Sequence, residues 1–432
     1  MTDVTAWNDL LAVMAPVFTQ PSFLLFTELM CGWVLCPGRR TVTRMIGVAG
    51  AANRRAHDAY HRFLRTGSWK IADLWSLLAT VLVEMFFPAG VVLQCDLDDT
   101  LFHKTGRKVE GAGVFRDAVR STKTKVVYAL GLNLVVLTLR IVPPWGGEPL
   151  GLPINMRLYR KGGPSHIDLA EEMIREVADW FPDRQFRLAA DGAYASLAGR
   201  HLPRTHVTSR MRRDAALYLA PPPRKKGQRG RPRKKGRRLP TPVQIAARRR
   251  QGWVRAIVNE RGKPVERLLF RLPVLWYATC PDQLVLLVIV RDPARKQPDD
   301  FFFTTDLEAS AAAAVAGEYL GRWSIEDTNR NTKQFLGGEQ PQTWKGHGPE
   351  RAAALSLWLY SAVWCWYLDT HGAAPSWPIT PWYRAKSAPS FLDALATLRR
   401  ALWRHRIFAT CGKGPLPAKT ADELIEALAR AA

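Results

Sequence analysis

The chain has 432 residues, is 47% hydrophobic, and carries a formal net charge of +24 with a sequence pI of about 10.2. That length exceeds one simple core, so several structural units are expected, and the apolar content excludes a disordered chain. So large a positive charge asks for a polyanionic partner, with nucleic acid first and an anionic membrane surface second.

The N-terminal MTDVTAWNDL has no basic region followed by an apolar stretch, so no signal peptide is expected. Residues 1–88 show apolar positions at three- and four-residue spacing and read as helical. Within them, 39–69 mixes basic residues with a few aromatics, suiting either a small helical DNA-binding unit or a solvated basic face. The character changes at Val91, where VVLQCDLDDT is a short apolar strand ending in carboxylates. KVVYALGLNLVVLTLRIV (125–142) predicts two buried strands joined near Gly131. INMRLYR (154–160), QFRLAADGAY (185–194) and THVTSRMR (205–212) predict further strands, and SHIDLAEEMIREVADWF (165–181) a helix capped by Ser165. Strands, a crossing helix and another strand point to a mixed α/β sheet.

RKKGQRGRPRKKGRR (224–238) is almost wholly Arg, Lys and Gly, and is expected to be an exposed loop. Its Arg229-Gly230-Arg231-Pro232 resembles a minor-groove hook, while Arg233, Lys234 and Lys235 equally suit a non-specific phosphate clamp. Residues 253–292 alternate as strands of a β-rich insert, FFFTTD (301–306) is one more strand, and a single long helix is expected from Leu307. The rest, from about 346, reads as helical. Ala352 to Leu368 carries no charge, but it is at the short limit for a span and holds Ser356, Ser361 and three tryptophans, so a buried core helix is expected. The six cysteines form no CxxC pair and no zinc-type spacing, which fits a reduced cytoplasmic protein.

Three places carry chemistry. Tyr319, Arg322, Glu326 and Lys333 fall within roughly an 80° arc of one helix, with Arg330 in that arc and Trp323 beside it. Such a face holds something anionic beside a metal-binding carboxylate. The other two places are the aspartates of Cys95-Asp96-Leu97-Asp98-Asp99-Thr100 and of Asp191-Gly192-Ala193-Tyr194, each ending an apolar strand. Phosphodiester cleavage needs an activated nucleophile and a stabilised leaving oxygen, which two hard cations held by carboxylates supply.

The order D…D…E, with D-x-[GA]-[FY] at the second Asp and Y-x2-R-x3-E-x6-K around the Glu, resembles the DDE-type insertion-sequence transposases with the Y-R-E-K signature. By that resemblance Asp99, Asp191 and Glu326 form the metal-binding triad, with Asp98 a close rival to Asp99. Mg²⁺ is the implied cofactor, with Mn²⁺ able to substitute. Tyr319, Arg322 and Lys333 would hold transposon-end phosphates, with Trp323 and Arg330 as neighbours. A ribonuclease H-like core interrupted by a β-rich insert is implied. The expected units are a helical DNA-binding region (1–88), the core in two parts (89–212 and 297–345), the insert (213–296) and a helical C-terminal region (346–432). The implied activity is cut-and-paste transposition on double-stranded DNA, at terminal inverted repeats and a target, by a prokaryotic nucleoid-associated protein that dimerises in the synaptic complex, with no membrane partner. Trp323, Trp253 and Trp276 are candidate stacking partners for a flipped base. Two other readings stay open: an inactive transposase-derived DNA-binding protein, and a nuclease that joins nothing.

Overall fold

A computed structural model describes residues 3–223, 230–309, 311–410 and 418–431. The chain begins with five helices: α1 (Asp3–Ala12), α2 (Gln20–Leu35), α3 (Val42–Val48), α4 (His57–Thr66) and α5 (Ile71–Phe86). Their apolar faces bury Trp7, Phe26, Trp33, Tyr60 and Trp75. Four strands follow: β1 (Leu93–His103), β2 (Gly113–Arg116), β3 (Tyr128–Ile141) and β4 (Leu150–Tyr159). Next come α6 (His166–Trp180), β5 (Phe186–Ala190), a 3₁₀ helix (Gly192–Gly199) and β6 (Thr205–Arg210). Ser165 caps α6 as its sequence predicts, in a reciprocal box with Asp168.

After the basic segment come α7 (Pro242–Arg248), β7 (Val254–Glu260), β8 (Lys263–Val274), β9 (Val285–Arg291) and β10 (Asp300–Thr304). The chain closes with α8 (Ala312–Gly321), α9 (Ser324–Gln334), α10 (Gly348–His371), α11 (Phe391–Thr410) and α12 (Ala418–Arg430). All ten strands join one mixed sheet in the order β2-β3-β1-β5-β6-β10-β9-β8-β7, with β4 beside β3. β1, β5 and β6 run parallel; the remaining pairs are antiparallel. The strands of 254–291 therefore extend the same sheet, because β10 pairs both β6 and β9.

Two expectations about strands give way. β1 does not end at its aspartates but runs on to His103. β3 is one strand through Gly131, not two, because a Cβ there would stand 2.4 Å from the Phe102 carbonyl oxygen and only glycine lets the strands close up.

α6 and the 3₁₀ helix cover one face of the sheet, and α8, α9 and α10 the other. α10 is the buried core helix its sequence predicts, with Ala352 to Leu368 all inside. Among the described residues, no helix is long and apolar enough to cross a membrane. The N-terminal helices share one hydrophobic core with α10, α11 and the sheet.

Candidate active site

Side chains alternate across a strand, so Asp96 and Asp98 of β1 face α9 while Asp99 faces the opposite side. Asp96 is fully buried and paired with Arg140, whose Nε donates to it at 3.0 Å and whose Nη2 donates to the Glu318 carbonyl at 2.8 Å. Ser324 Oγ also donates to Asp96, at 3.1 Å. These bonds pin the junction of α8 and α9 to the sheet.

That junction is a two-residue 3₁₀-type tightening between two helices, not the uninterrupted helix expected from Leu307. Arg322 and Trp323 sit between α8 and α9, and the bonds there span three residues: Arg322 N to Tyr319 O at 3.1 Å and Glu326 N to Trp323 O at 2.9 Å. The tight turn presents Arg322 and Glu326 toward β1. Arg322 Nη1 donates to Asp98 Oδ2 at 2.6 Å, and its Nη2 donates to Glu326 Oε1 at 3.1 Å. One guanidinium thus joins two of the candidate carboxylates.

Asp191 reaches the same place from β5. Leu97 pairs with Ala190, so β5 stops where β1 continues, and Asp191 emerges beside Asp98. Its carbonyl accepts from Ser209 Oγ at 3.0 Å, and Tyr319 Oη lies 3.5 Å from its Oδ1. Tyr319 is buried and stacked on Phe302 with centroids 4.4 Å apart, so it steadies Asp191 from behind.

Burial pushes the Asp98 carboxyl up to about 6; Arg322 opposes this, while Asp99 and Asp191 reinforce it. Burial also raises Glu326, with Arg322 and Arg261 pulling the other way. Burial disfavours the Arg322 charge, but Asp98, Tyr319, Glu326 and Asp191 outweigh it and hold the guanidinium well above its ordinary range. The cleft has more negative charge than its own arginine matches.

The other expected residues fall as follows. Asp99 is exposed on the far side of the pleat, accepting from Tyr194 Oη at 3.3 Å; it is Asp98, not Asp99, that meets Arg322. Trp323 is 39% exposed, and the Arg261 guanidinium stacks 3.4 Å from its ring centre. Arg330 is paired with Asp327 at 2.8 Å. Lys333 is half-buried over the Phe102 ring at 5.7 Å, and burial lowers its pKa. Arg231, Arg233 and Lys234 are exposed, and Lys235 lies over both Tyr218 and Tyr277 at 4.8 and 4.6 Å. Arg229 lies outside the described residues. Trp276 is 5% exposed and packed edge-on against Phe303, so it offers no stacking face, and Trp253 is covered by Arg291 at 3.8 Å.

Sequence reasoning missed the Asp96–Arg140 pair, Arg261 and Tyr194. The first was signalled by the alternation Asp96, Asp98, which puts two acids on one face of a buried strand. Arg261 sits on a hairpin tip far from Trp323 in sequence, and nothing local announces that contact. Among the described residues no three His, Cys, Asp or Glu side chains are drawn together tightly enough to hold a metal, unlike the close triad expected from the sequence; Arg322 stands between Asp98 and Glu326.

No curated protein matches the chain. A family model described as DDE superfamily endonuclease matches residues 16–265, which includes Asp98, Asp99 and Asp191 and ends before Glu326. That match spans more than half of the 432 residues, and the chain belongs to the DDE superfamily endonucleases.

Proposed function

We propose that this DDE-superfamily endonuclease is a DNA transposase that cuts at transposon ends and transfers the freed 3′ strand into target DNA by a cut-and-paste route. The observation that carries the reading is the meeting of Asp98 and Glu326 on Arg322, with Asp191 at the adjoining strand end. The sub-sheet β4-β3-β1-β5-β6, antiparallel up to β1 and parallel beyond it, with α6 crossing between, supports a ribonuclease H-like core.

Asp98, Asp191 and Glu326 would hold the divalent cations, Mg²⁺ by preference and Mn²⁺ in its place. The donors are all hard carboxylate oxygens, and the acids of the cleft outnumber its arginine, so the residues fit. When bound, such ions supply Lewis-acid stabilisation of the attacking and leaving oxygens of phosphoryl transfer. Arg322 keeps Asp98 and Glu326 in register. Asp99 takes the lesser role of holding Tyr194. The exposed face of Trp323, with Arg330 and Lys333 further along α9, and the cations Arg231, Arg233 and Lys234, supply DNA contacts. Two copies would act together at paired ends.

The test is a labelled duplex carrying the element's own terminal repeat, incubated with Mg²⁺ and a supercoiled target plasmid. The native protein is expected to give end-specific cuts and joined product, and Glu326→Gln to lose both by roughly 100-fold or more. Asp98→Asn should do the same, whereas Asp99→Asn should cost no more than roughly tenfold. Cuts without joined product would make this a nuclease only. DNA bound and never cut would leave a binding protein.

A further inference from the structure

The hairpin joining β2 to β3 is exposed, rigid and strongly cationic. Between Gly113 and Tyr128 stand Arg116, Arg120, Lys123 and Lys125, and the lone acid there, Asp117, is buried. Arg116, Lys123 and Lys125 have no ion-pair partner among the described residues, and Arg120 reaches only Asp117, at 3.4 Å. Among these cations stand bare apolar side chains: Val119 is 87% exposed, Tyr128 66% and Val126 52%.

The turn is tied internally. Asp117 N donates to Val127 O at 2.8 Å, Thr122 N to Lys125 O at 2.8 Å, and Val127 N to Ser121 Oγ at 3.0 Å. Asp117 Oδ1 accepts from the amides of Val119 and Arg120, both at 3.1 Å. Its root is clamped to the core by His103, whose ring bridges Asp117 at 2.8 Å and Glu339 at 2.9 Å. A tip of this kind loses little order on binding, and an apolar wedge flanked by cations suits a groove between phosphate backbones.

Its position ties it to the candidate cleft. Asp98 pairs with Val136 on β3, and Tyr128 begins that same strand. At ~3.3 Å per residue the hairpin starts roughly 26 Å beyond the carboxylates. At ~3.4 Å per base pair, that is about eight base pairs of duplex.

We infer that the β2–β3 hairpin is a second DNA-contact site, seating Val119 in a groove of the duplex roughly eight to eleven base pairs from the scissile phosphate. This rests on the catalytic reading only for the location of that phosphate; the contact itself does not need cleavage. Charge complementarity, the absence of an exposed acid and continuity with β1 favour duplex DNA over an anionic membrane.

The experiment uses the full chain with Glu326→Gln, so that binding is read without cutting. Its partner is a variant that adds Arg116→Ser, Arg120→Ser, Lys123→Ser and Lys125→Ser. Binding to a random-sequence duplex of about 40 base pairs is followed against salt, and the added substitutions should flatten the log–log slope by about two to four. All four side chains are exposed, so the thermal transition should not move. In parallel, a photo-crosslinking amino acid at Val119 should attach to DNA roughly seven to twelve base pairs from the cut made by the native protein. An unchanged slope with no crosslink overturns the inference. So does a loss of binding to phosphatidylglycerol vesicles with DNA binding intact. Crosslinks to DNA from a protein that never cuts would keep this contact and sink the catalytic reading alone.

Discussion

Burial holds the Asp98 carboxyl at about 6 although Arg322 donates to it at 2.6 Å, so desolvation and the neighbouring acids outweigh one guanidinium. The sign for stability follows from an ordinary value of 3.8. Between about pH 4 and 6 the folded protein keeps a proton that the unfolded chain releases, so this group's contribution falls as pH rises through that window. Asp98→Asn is therefore expected to be at least as stable as the native protein in metal-free buffer at pH 7, while inactive; thermal unfolding against pH checks this, and a lower transition at pH 7 would refute it. Arg351 shows the opposite case. Buried in α10, it donates to the carbonyls of Phe63, Leu64, Gly67 and Trp69 at 3.3, 3.2, 2.8 and 2.6 Å, filling the acceptors left open at the end of α4. Arg351→Met should cost about 3 kcal/mol or more, read from denaturant unfolding, because several carbonyls lose their donor together. At this scale the sequence was half legible. Asp191 and Glu326 can be picked out from their motifs, whereas which of Asp98 and Asp99 faces Arg322 depends on the phase of β1, which comes from its pairing with β3 and β5.

The junction of α8 and α9 is held by close approaches as much as by hydrogen bonds. A Cβ on Gly151 of β4 would lie 2.8 Å from Ser324 Oγ and 3.3 Å from the Ile325 amide, and the Gly151 carbonyl accepts from Thr328. Gly151→Ala should therefore push the start of α9 off the sheet, at about 1–3 kcal/mol of stability. Activity is expected to fall further than that cost explains, because Glu326 rides on the displaced turn; equal loss of folded fraction and rate would argue against it. The same junction explains why the element map was only partly readable. Residues 307–334 are rich in helix formers with few weak spots such as Gly317 and Gly321, and propensity alone continues the helix. The break comes from contacts remote in sequence: Arg140 against Gly321, and Asp96 against Ser324. Gly131 misled in the other direction, since a glycine inside an apolar run reads as a turn until the partner strand is known. Where local chemistry decides, as at the Ser165–Asp168 cap of α6, the helix start was legible.

Across the whole molecule, not all of the +24 charge is available to DNA. Arg40, Arg140, Arg351 and Arg399 are each less than 10% exposed and serve carbonyls or a buried carboxylate. Part of the outward charge stands on the β2–β3 hairpin and the segment holding Arg231, Arg233 and Lys234. Replacing those last three with Ser should flatten the salt dependence of duplex binding by about two to three, without touching the Tyr218–Lys235–Tyr277 contact. An unchanged slope would remove the segment from the DNA surface. The alternation of helical and strand-rich stretches is visible in the sequence, but the joining of all the strands into one sheet is not, because the pairing of β10 with both β6 and β9 joins strands distant along the chain.

Arg351 and Trp69 also set a condition on how the protein is made. The N-terminal helices α4 and α5 leave the ribosome well before α10, the helix they close onto. At ~5–20 residues per second the interval between the two is roughly a quarter of a minute to a minute. Throughout it the faces bearing Trp33, Phe63 and Trp75, later buried, stand open to water and to other nascent chains. A message truncated before Gly348 should therefore yield aggregate and no DNA-binding fragment, because the helix that covers those faces is missing.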